Sequence, residues 1–317
     1  MSRLRLRHYL AAALLLLAIV FATYYRLPAL AYYWLSMQHG APQWRHEGLW
    51  LPAYRVTVEG LAVEGVGGNL SGLTFNERTG TLFAIINRPA EIVELSTAGA
   101  VLRRIVIRGA SDTEGISHID DDLFVIADEH RHQLHFVRIG EDVTEVDVGE
   151  APTVGLAIDL TRNLGFEGVS WDAANRRLYV GKERSPMRVL TVDGLETLVN
   201  GQRIDLQIGE WKPPRARTLF MRDLSSLSAH EATGNILLLS DESALIVEYA
   251  PDGTPVSMLP MWRGLHGLRR SVPQAEGLAI GPDGTLYVLS EPNLFYRFER
   301  NDPARWAAAQ RSDGDGS

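Results

Sequence analysis

One pattern recurs five times in the sequence and strongly limits the folds that the chain can adopt. The copies begin LSGLTF, TEGISHI, FEGVSW, LSSLSA and AEGLAI, and each continues through a polar turn into a second apolar run and a third strand-like segment. The small residue at the third position lies at Gly72, Gly115, Gly168, Ser226 and Gly277, at intervals of 43, 53, 58 and 51 residues. Such intervals are typical of one four-stranded propeller blade. The repeat therefore predicts an all-β fold, a five-bladed β-propeller of four-stranded antiparallel blades.

A fourth, outer strand can be assigned to most units. Candidates are LRRIVIR, VTEVDVG, RIDLQIG and TPVSML, which follow the first four units in that order. The fifth unit ends near Arg300 without one, whereas YRVTVEGLAVEG, residues 54–65, precedes the first unit and has no other partner. If residues 54–65 complete the fifth blade, the ring closes and leaves no open blade. A sixth blade would have to lie in residues 195–224, where WKPPRARTLF carries two prolines and no hairpin pattern.

Acidic residues flank the hairpins of three units at equivalent places. One member of each pair precedes the glycine of the motif and the other follows the second strand: Glu114 with Glu129, Glu167 with Glu183, and Glu276 with Glu291. The other two units have Ser71 with Asn87 and Ser225 with Glu242 at these places. Since the first strands of a propeller line its channel, we expect all five hairpin ends to converge on one mouth. A single pair would be interpreted as a strand cap and a solvated turn residue, but three pairs in register predict a shared site.

Carboxylates that converge on one mouth must be protonated, held apart or neutralised by a cation. The chain has no cysteine, so the donors are oxygen atoms, which suit a hard ion. Calcium accepts roughly six to eight oxygen ligands in flexible geometry, whereas magnesium requires a tighter octahedron. We therefore predict a Ca²⁺ site at the mouth. The candidate ligands are Glu114, Glu129, Glu167, Glu183, Glu242, Glu276 and Glu291.

Long loops that lead from an outer strand to the next inner strand should border the same mouth. They are rich in basic residues, and the candidate ligand-binding rim consists of Arg217, Arg222, His266 and Arg269. An acidic floor with a basic rim can hold an anionic ligand that is bridged to the metal. The alternative is that exposed loops carry arginine for solubility, and the sequence leaves both interpretations open.

The N-terminal segment has the composition of a membrane anchor. Arg3, Arg5 and Arg7 precede an uncharged run from Tyr9 to Tyr25, and a basic flank of this kind keeps the N-terminus in the cytoplasm. The run is about long enough to cross the hydrocarbon core of a bilayer. We therefore expect the rest of the chain to be exported.

These features divide the chain into four parts. We predict a basic flank with an uncleaved transmembrane signal-anchor in residues 1–35, a linker in 36–53, the propeller in 54–300 and a disordered tail in 301–317. The alternative for the first part is a signal peptide that is cleaved near Ala29-Leu30-Ala31.

The chain resembles the SdiA-regulated, YjiK-like family of bacterial envelope proteins. The resemblance lies in the phrases EGIS, EGVS and EGLA, in the dipeptides DE, KE and SE that close the same hairpins, and in the single N-terminal anchor before them. The similarity extends over residues 54–300. It implies a five-bladed propeller with a calcium site in the bacterial envelope, distantly related to NHL-repeat propellers. With the orientation that the basic flank indicates, we expect a single-pass anchor in the bacterial inner membrane and the propeller on the periplasmic side. Ser71 and Ser225 replace the leading glutamate in the first and fourth units, so we expect those blades to contribute less to the metal.

Two classes of function fit these features. The first is a membrane-anchored, exported module that binds an envelope protein or a small anionic ligand at the propeller mouth. The second is a calcium-dependent hydrolase of an ester, lactone or phosphoester, in which the metal polarises the substrate and a mouth carboxylate acts as base. The sequence has no recognisable nucleophile motif, which favours binding. A formal net charge of −8 argues against a nucleic-acid partner.

Overall fold

The computed structural model describes residues 3–110, 112–156, 165–183, 186–195, 206–211 and 219–301. Within these ranges the strands form five sheets, and the first strand of each sheet contacts the first strands of both neighbouring sheets. These contacts close the sheets into a ring around a central channel. The predicted five-bladed β-propeller is confirmed.

The strands are numbered in chain order, and each blade is described from the channel outward. The first strand, β1 (Tyr54–Ala62), precedes blade 1. Blade 1 contains β2 (Leu70–Asn76), β3 (Thr81–Ile86), β4 (Glu91–Leu95) and β5 (Val101–Arg108). Blade 2 contains β6 (Thr113–Asp120), β7 (Leu123–Asp128), β8 (Gln133–Arg138) and, after β9 (Glu145–Asp147), β10 (Thr153–Gly155). Blade 3 contains β11 (Phe166–Asp172), β12 (Arg177–Lys182), β13 (Arg188–Asp193) and β14 (Gln207–Glu210). Blade 4 contains β15 (Ser226–His230), β16 (Asn235–Ser240), β17 (Leu245–Tyr249) and β18 (Pro255–Pro260). Blade 5 contains β19 (Ala275–Ile280), β20 (Leu286–Ser290) and β21 (Leu294–Arg300).

Blade 5 takes its fourth strand from the N-terminal side of the propeller, as predicted. Strand β1 pairs antiparallel with β21, with Tyr54 opposite Arg300 and Ala62 opposite Leu294. The hydroxyl of Tyr54 also donates a hydrogen bond to the carbonyl oxygen of Gly284, at 2.8 Å. The two ends of the propeller are therefore joined within one sheet.

The outer strand of blade 2 differs from the prediction. The segment VTEVDVG contains β9, which pairs in parallel with β5 at the outer edge of blade 1, from Val106 opposite Glu145 to Arg108 opposite Asp147. The fourth strand of blade 2 is instead the short β10, which pairs antiparallel with β8. An ion pair between Arg108 and Glu145, at 2.6 Å, helps to hold β9 on the neighbouring blade. A short edge strand can pair on either side, so its partner depends on the path of the connecting loop.

The apolar core lies between the blades. Strand β3 is apolar at five successive positions because both of its faces are covered: Leu82 packs in a cluster with Leu289 of blade 5, whereas Phe83 packs against Phe124 of blade 2. The ring centroids of Phe83 and Phe124 are 4.7 Å apart. Full burial of one such side chain contributes about 1.5–3 kcal/mol. The second strands therefore fix the blades against each other and set the position of the channel.

Two helices precede the propeller. Helix α1 (Arg3–Tyr24) contains the apolar stretch Leu6–Tyr24, which has a mean hydropathy of 1.9 and is not buried against the rest of the described chain. Its length and composition suit one membrane span and also a signal sequence. Helix α2 (Leu27–Glu47) follows after a sharp corner at Arg26, whose φ is 50°.

The segment predicted as a linker, residues 36–53, comprises the second half of α2 and a short 3-10 helix, Leu51–Ala53. Met37 and Ala41 of α2 are buried against blade 4, so the helix is stabilised by packing. At its start, Tyr33 stacks on Phe220, with ring centroids 4.4 Å apart. The predicted disordered tail lies outside the described residues apart from Asn301.

A buried carboxylate attaches the segment after α2 to blade 4. Glu248 in β17 is fully buried and accepts hydrogen bonds from the backbone N–H groups of Leu49, at 2.8 Å, and Trp50, at 3.3 Å. It also accepts from the side-chain amide of Asn235, at 2.7 Å, and from the hydroxyl of Ser257, at 2.6 Å. The helices are therefore connected to the propeller through a packed and hydrogen-bonded segment.

Candidate metal centre

A backbone irregularity places the leading glutamate of three blades at the channel mouth. In blade 2 the strand register passes from Thr113 opposite Asp128 to Gly115 opposite Ala127, which leaves Glu114 as an extra residue. Glu167 and Glu276 lie at the same kind of irregularity in blades 3 and 5. A β-bulge re-aims the side chain of the extra residue. The motif glutamates are therefore bulge residues of the inner strands.

The paired glutamates share one end of the hairpin, but they are not direct cross-strand partners. Glu129 follows the end of β7, where its backbone N–H donates to the carbonyl oxygen of Asp112 at 2.8 Å. Likewise, the N–H of Glu291 donates to the carbonyl oxygen of Gln274, at 2.9 Å. The bulge is the reason for this offset, because it shifts the inner strand by one residue.

The glycine of the motif, which lies at the irregularity or directly after it, allows the inner strands to approach each other closely. A Cβ atom on Gly72 would lie 2.6 Å from the carbonyl oxygen of Glu114, and a Cβ on Gly168 would lie 2.9 Å from the backbone nitrogen of Leu227. Both contacts are with the backbone of the next blade, which cannot move aside easily. The two motif residues therefore act together. The glycine lets neighbouring inner strands lie close to one another, and this brings the carboxylates of neighbouring blades together at the mouth.

Three carboxylates come together on one side of the mouth. Oxygen atoms of Asp112, Glu114 and Glu129 lie within 4.8 Å of one another, and all three residues are partly buried. They line a cavity of about 340 Å³. The remaining lining residues are Asn69, Asn87, Arg88 and Glu167. The donor set consists of oxygen atoms and carries four carboxylates, which suits Ca²⁺ better than a softer metal.

Neighbouring side chains orient Glu114. The hydroxyl of Ser71 donates to Glu114 Oε2 at 2.7 Å, and the amide of Asn87 donates to Glu114 Oε1 at 2.9 Å. The serine that replaces the leading glutamate in blade 1 therefore positions the glutamate of blade 2. Among the residues that the structure describes, the buried Oδ1 of Asn87 has no hydrogen-bond donor. A buried acceptor of this kind at the cavity can serve as a neutral ligand for a cation.

The carboxylates have raised pKa values. For Glu114, burial is the largest cause and raises the pKa to about 7, although hydrogen bonds from Asn87 and Ser71 lower it; the charges of Glu129 and Asp112 raise it further. Burial also raises the pKa of Glu129. The charges of neighbouring carboxylates add to this effect, so the cluster favours either bound protons or a bound cation.

Two further glutamates belong to the same electrostatic cluster. Burial raises the pKa of Glu167 well above its ordinary value, and the charges of Glu114, Glu129, Glu183 and Glu276 raise it further. Burial likewise raises the pKa of Glu276 to about 9, followed by the charges of Asp241, Glu114, Glu291 and Asp223. Glu167 and Glu276 therefore connect the three-carboxylate cluster to the other side of the ring.

The remaining predicted ligands are not among the residues that line this cavity. Glu291 accepts a hydrogen bond from Gln274 Nε2 at 2.9 Å, and Glu242 forms an ion pair with Arg222 at 2.7 Å. Glu183 acts on the cluster through its charge, which raises the pKa values of Glu129 and Glu167. The carboxylates are thus concentrated between blades 1 and 3, and they do not form a fivefold-symmetric ring.

The structure does not gather the described members of the predicted rim around the acidic cavity. Arg222 pairs with Glu242, His266 Nδ1 lies 2.9 Å from the carbonyl oxygen of Tyr54, and Arg269 pairs with Glu59 at 2.8 Å. Arg217 lies outside the described residues. The basic residue that lines the cavity is Arg88, which forms an ion pair with Asp112 at 3.1 Å.

Sequence reasoning missed Asp112 and Arg88. Asp112 lies two residues before Glu114, outside the repeated phrase, and Arg88 follows Asn87 at the end of the blade 1 hairpin. A signal was present for Asp112, since it adds a carboxylate next to a motif position. No sequence signal pointed to Arg88, because nothing in the local sequence distinguishes it from a solvated turn residue.

Comparisons with known proteins gave a match to a family model and similarities to solved structures. A family model described as SdiA-regulated matches residues 46–299. Among solved structures, a luciferin-regenerating enzyme is 13% identical, with a TM-score of 0.48, over 77% of this chain and 95% of that chain. A structure of a nidogen/laminin complex is 11% identical, with a TM-score of 0.44, over 70% of this chain and 72% of that chain.

Proposed function

The chain belongs to the SdiA-regulated family, and from this premise we propose that it is a membrane-anchored, calcium-binding propeller that binds an envelope ligand at its acidic mouth. The observation that carries the proposal is the convergence of Asp112, Glu114 and Glu129 on one cavity, with their oxygens within 4.8 Å. Calcium would supply the positive charge that these groups otherwise obtain from protons.

Particular residues would hold the ion. Asp112, Glu114 and Glu129 offer carboxylate oxygens, and the unpartnered Oδ1 of Asn87 offers a neutral one. Glu167 lines the same cavity and adds negative charge. Arg88 at the same cavity carries the opposite charge and could hold an anionic part of a ligand beside the metal.

We expect calcium to raise the melting temperature at neutral pH. Binding to the folded state alone stabilises it by about 2.7 kcal/mol at a hundredfold excess over the dissociation constant. Glu167→Gln keeps the side-chain shape but cannot ionise, so it should weaken calcium binding while leaving the calcium-free protein no less stable than wild type. The measurement is thermal unfolding during calcium titration, with magnesium as a second ion.

Glu150→Gln is the matched control, because Glu150 is exposed and lies outside the cluster. This variant should respond to calcium as the wild type does. If the wild type melts at the same temperature in calcium and in chelator, the calcium site is wrong and the carboxylates must be neutralised by protons or by a ligand.

We also expect the calcium-free protein to lose stability as the pH rises. The pKa values of Glu114 and Glu276 in the folded state, about 7 and about 9, exceed the ordinary value of 4.5. Protonation therefore favours folding: the contribution is complete below about pH 4.5 and is lost as the pH rises through the folded pKa values. Each group contributes at most about 1.4 kcal/mol per pH unit.

The measurement is the free energy of unfolding across this pH range. It should fall with rising pH in chelator and change less in calcium, whereas parallel profiles in the two conditions would contradict the shared site.

Hydrolysis is the second candidate function. The observation that favours it is the open cavity of about 340 Å³, in which a basic side chain, Arg88, lies beside the carboxylates. A metal-bound ester or phosphoester would have room there, and a carboxylate would be available as base. A panel of ester, lactone and phosphoester substrates, tested with and without chelator, distinguishes the two functions. Calcium-dependent turnover that Glu167→Gln reduces would replace the binding proposal.

The location that we propose is the inner membrane, with the propeller on the periplasmic side. The support is the apolar stretch of helix α1 and the arginines at the N-terminal end of the same helix. Alkaline phosphatase fused after residue 300 should be active, because this enzyme requires export, whereas β-galactosidase at the same point should be inactive. The reverse pattern would place the propeller in the cytoplasm.

A further inference from the structure

The end of α1 lies at the same face of the propeller as the acidic cluster. Phe21 and Tyr25 of the α1 end line a cleft with Phe220, Glu242 and Trp262. Phe220 precedes the inner strand of blade 4, Glu242 follows its second strand and Trp262 follows its outer strand. All three positions belong to the end of the blade at which inner strands begin, and that end carries the carboxylates.

A chain of contacts joins the anchor to the carboxylates. The guanidinium of Arg222 lies over the ring of Tyr24, 4.0 Å from its centroid, and pairs with Glu242. The backbone N–H of Glu242 in turn donates to Asp223, at 3.2 Å. Asp223 is close enough to Glu276 for its charge to contribute to the raised pKa of that group.

The junction between anchor and propeller is fixed. Arg26 donates hydrogen bonds to the carbonyl oxygens of Met221, at 2.6 Å, and Leu219, at 3.2 Å. Further along, Met37 is buried on blade 4 and Glu248 binds the backbone at Leu49. The orientation of blade 4 relative to the end of α1 is therefore set by these contacts.

Aromatic and apolar side chains around this junction are left uncovered. Tyr32 and Leu35 project from the outer face of α2, where they are 67% and 61% exposed, and Trp262 is 42% exposed beside the α1 end. Tyrosine and tryptophan prefer the boundary between hydrocarbon and lipid headgroups. Tyr25 and Leu27, which follow the 19-residue apolar span Leu6–Tyr24 and precede Tyr32 in the chain, are exposed as well.

We propose that this surface, formed by Tyr32, Leu35 and Trp262, is seated in the membrane interface, and that the acidic mouth consequently opens at the lipid surface. The inference rests on the proposed membrane anchor and goes beyond it, because a flexible tether would let the propeller move freely above the bilayer. A ligand that reaches the mouth would then be one that resides at the membrane surface.

The test uses the absence of cysteine from the chain, since one introduced cysteine gives one labelled site. Tyr32→Cys and Trp262→Cys in the full-length protein are labelled with an environment-sensitive fluorophore and reconstituted into vesicles of phosphatidylethanolamine and phosphatidylglycerol. Ile19→Cys in α1 is the lipid reference. Ala232→Cys is the aqueous reference, since Ala232 is exposed at the opposite mouth of the same blade.

Labels at residues 32 and 262 should shift their emission to the blue and lose most of it to nitroxide-labelled lipid, as the label at residue 19 should. The label at residue 232 should be quenched by aqueous iodide instead. If iodide quenched the labels at residues 32 and 262 as strongly as the label at residue 232, the proposed position of this surface in the membrane interface would be wrong. In that case, the label at residue 19 shows whether the anchor fails with it. Because Tyr32 projects outward, its replacement leaves the packed face of α2 intact and keeps the test independent of the cleft at Trp262.

Discussion

A chain that starts at residue 68 should fail to form a stable monomer, because it lacks the strand that closes the ring. Strand β1 pairs with β21 from Tyr54 to Ala62. The truncation also removes Tyr54, Val63 and Val66, which are buried in the core. Burial of each such side chain contributes roughly 1.5–3 kcal/mol, and the whole domain is stabilised by only about 5–15 kcal/mol. An open β21 would in addition present unpaired backbone groups to other chains.

The matched control starts at residue 48, so it lacks α1 and α2 but keeps β1 and the backbone that binds Glu248. Both proteins are compared by size-exclusion chromatography and thermal unfolding. We expect aggregation or no cooperative transition for the shorter chain, and a folded protein for the control. A monomer starting at residue 68 that melts as the control does would show that β1 is dispensable.

Glu248→Ala should be among the most destabilising single substitutions. The change leaves four buried donors without an acceptor, namely the N–H groups of Leu49 and Trp50, the amide of Asn235 and the hydroxyl of Ser257. An unsatisfied buried donor costs about 1–3 kcal/mol, so we expect a loss of at least about 3 kcal/mol. The N-terminal segment should also detach, which exposes the backbone near Arg45 to trypsin.

Glu94→Ala is the control, because Glu94 occupies the same place in blade 1. It is buried, accepts a hydrogen bond from Thr81 at 2.7 Å and pairs with Arg103. Both partners belong to blade 1 and not to the segment after α2, so the loss of Glu94 should lower stability without increasing cleavage near Arg45. Equal cleavage in the two variants would mean that Glu248 does not hold the segment.

Much of the fold was predictable because propeller blades repeat. The recurring glycine and apolar runs predict the blade number, and the unpaired segment at residues 54–65 predicts the closure. The partner of β9 was not predictable, because its alternating pattern fits the outer edge of either neighbouring blade. The packing of α2 on blade 4 was missed for a different reason: only Met37 and Ala41 of this 21-residue helix are buried, and two buried positions leave a weak amphipathic pattern.

The candidate site was predictable in its residue types and less so in its arrangement. The motif placed Glu114, Glu167 and Glu276 at one mouth, and each is part of one electrostatic cluster. The carboxylates are concentrated between blades 1 and 3 for two reasons: Asp112 adds a charge there, and Glu242 is held in an ion pair with Arg222. Asp112 and Arg222 both lie outside the repeated phrase, and a repeat cannot reveal what differs between its copies.

The pairing of β1 with β21 also determines when the protein can become complete during synthesis. Tyr54 is among the first propeller residues to be made and its partner Arg300 is among the last. At a translation rate of about 5–20 residues per second, the interval between the synthesis of β1 and the synthesis of β21 is on the order of ten seconds or more. Until then the nascent chain carries an exposed strand at each end, which makes it a substrate for chaperones and proteases. A stop codon before residue 294 would remove β21 and leave β1 without its partner, so the loss of this last strand should be as damaging as the loss of the first.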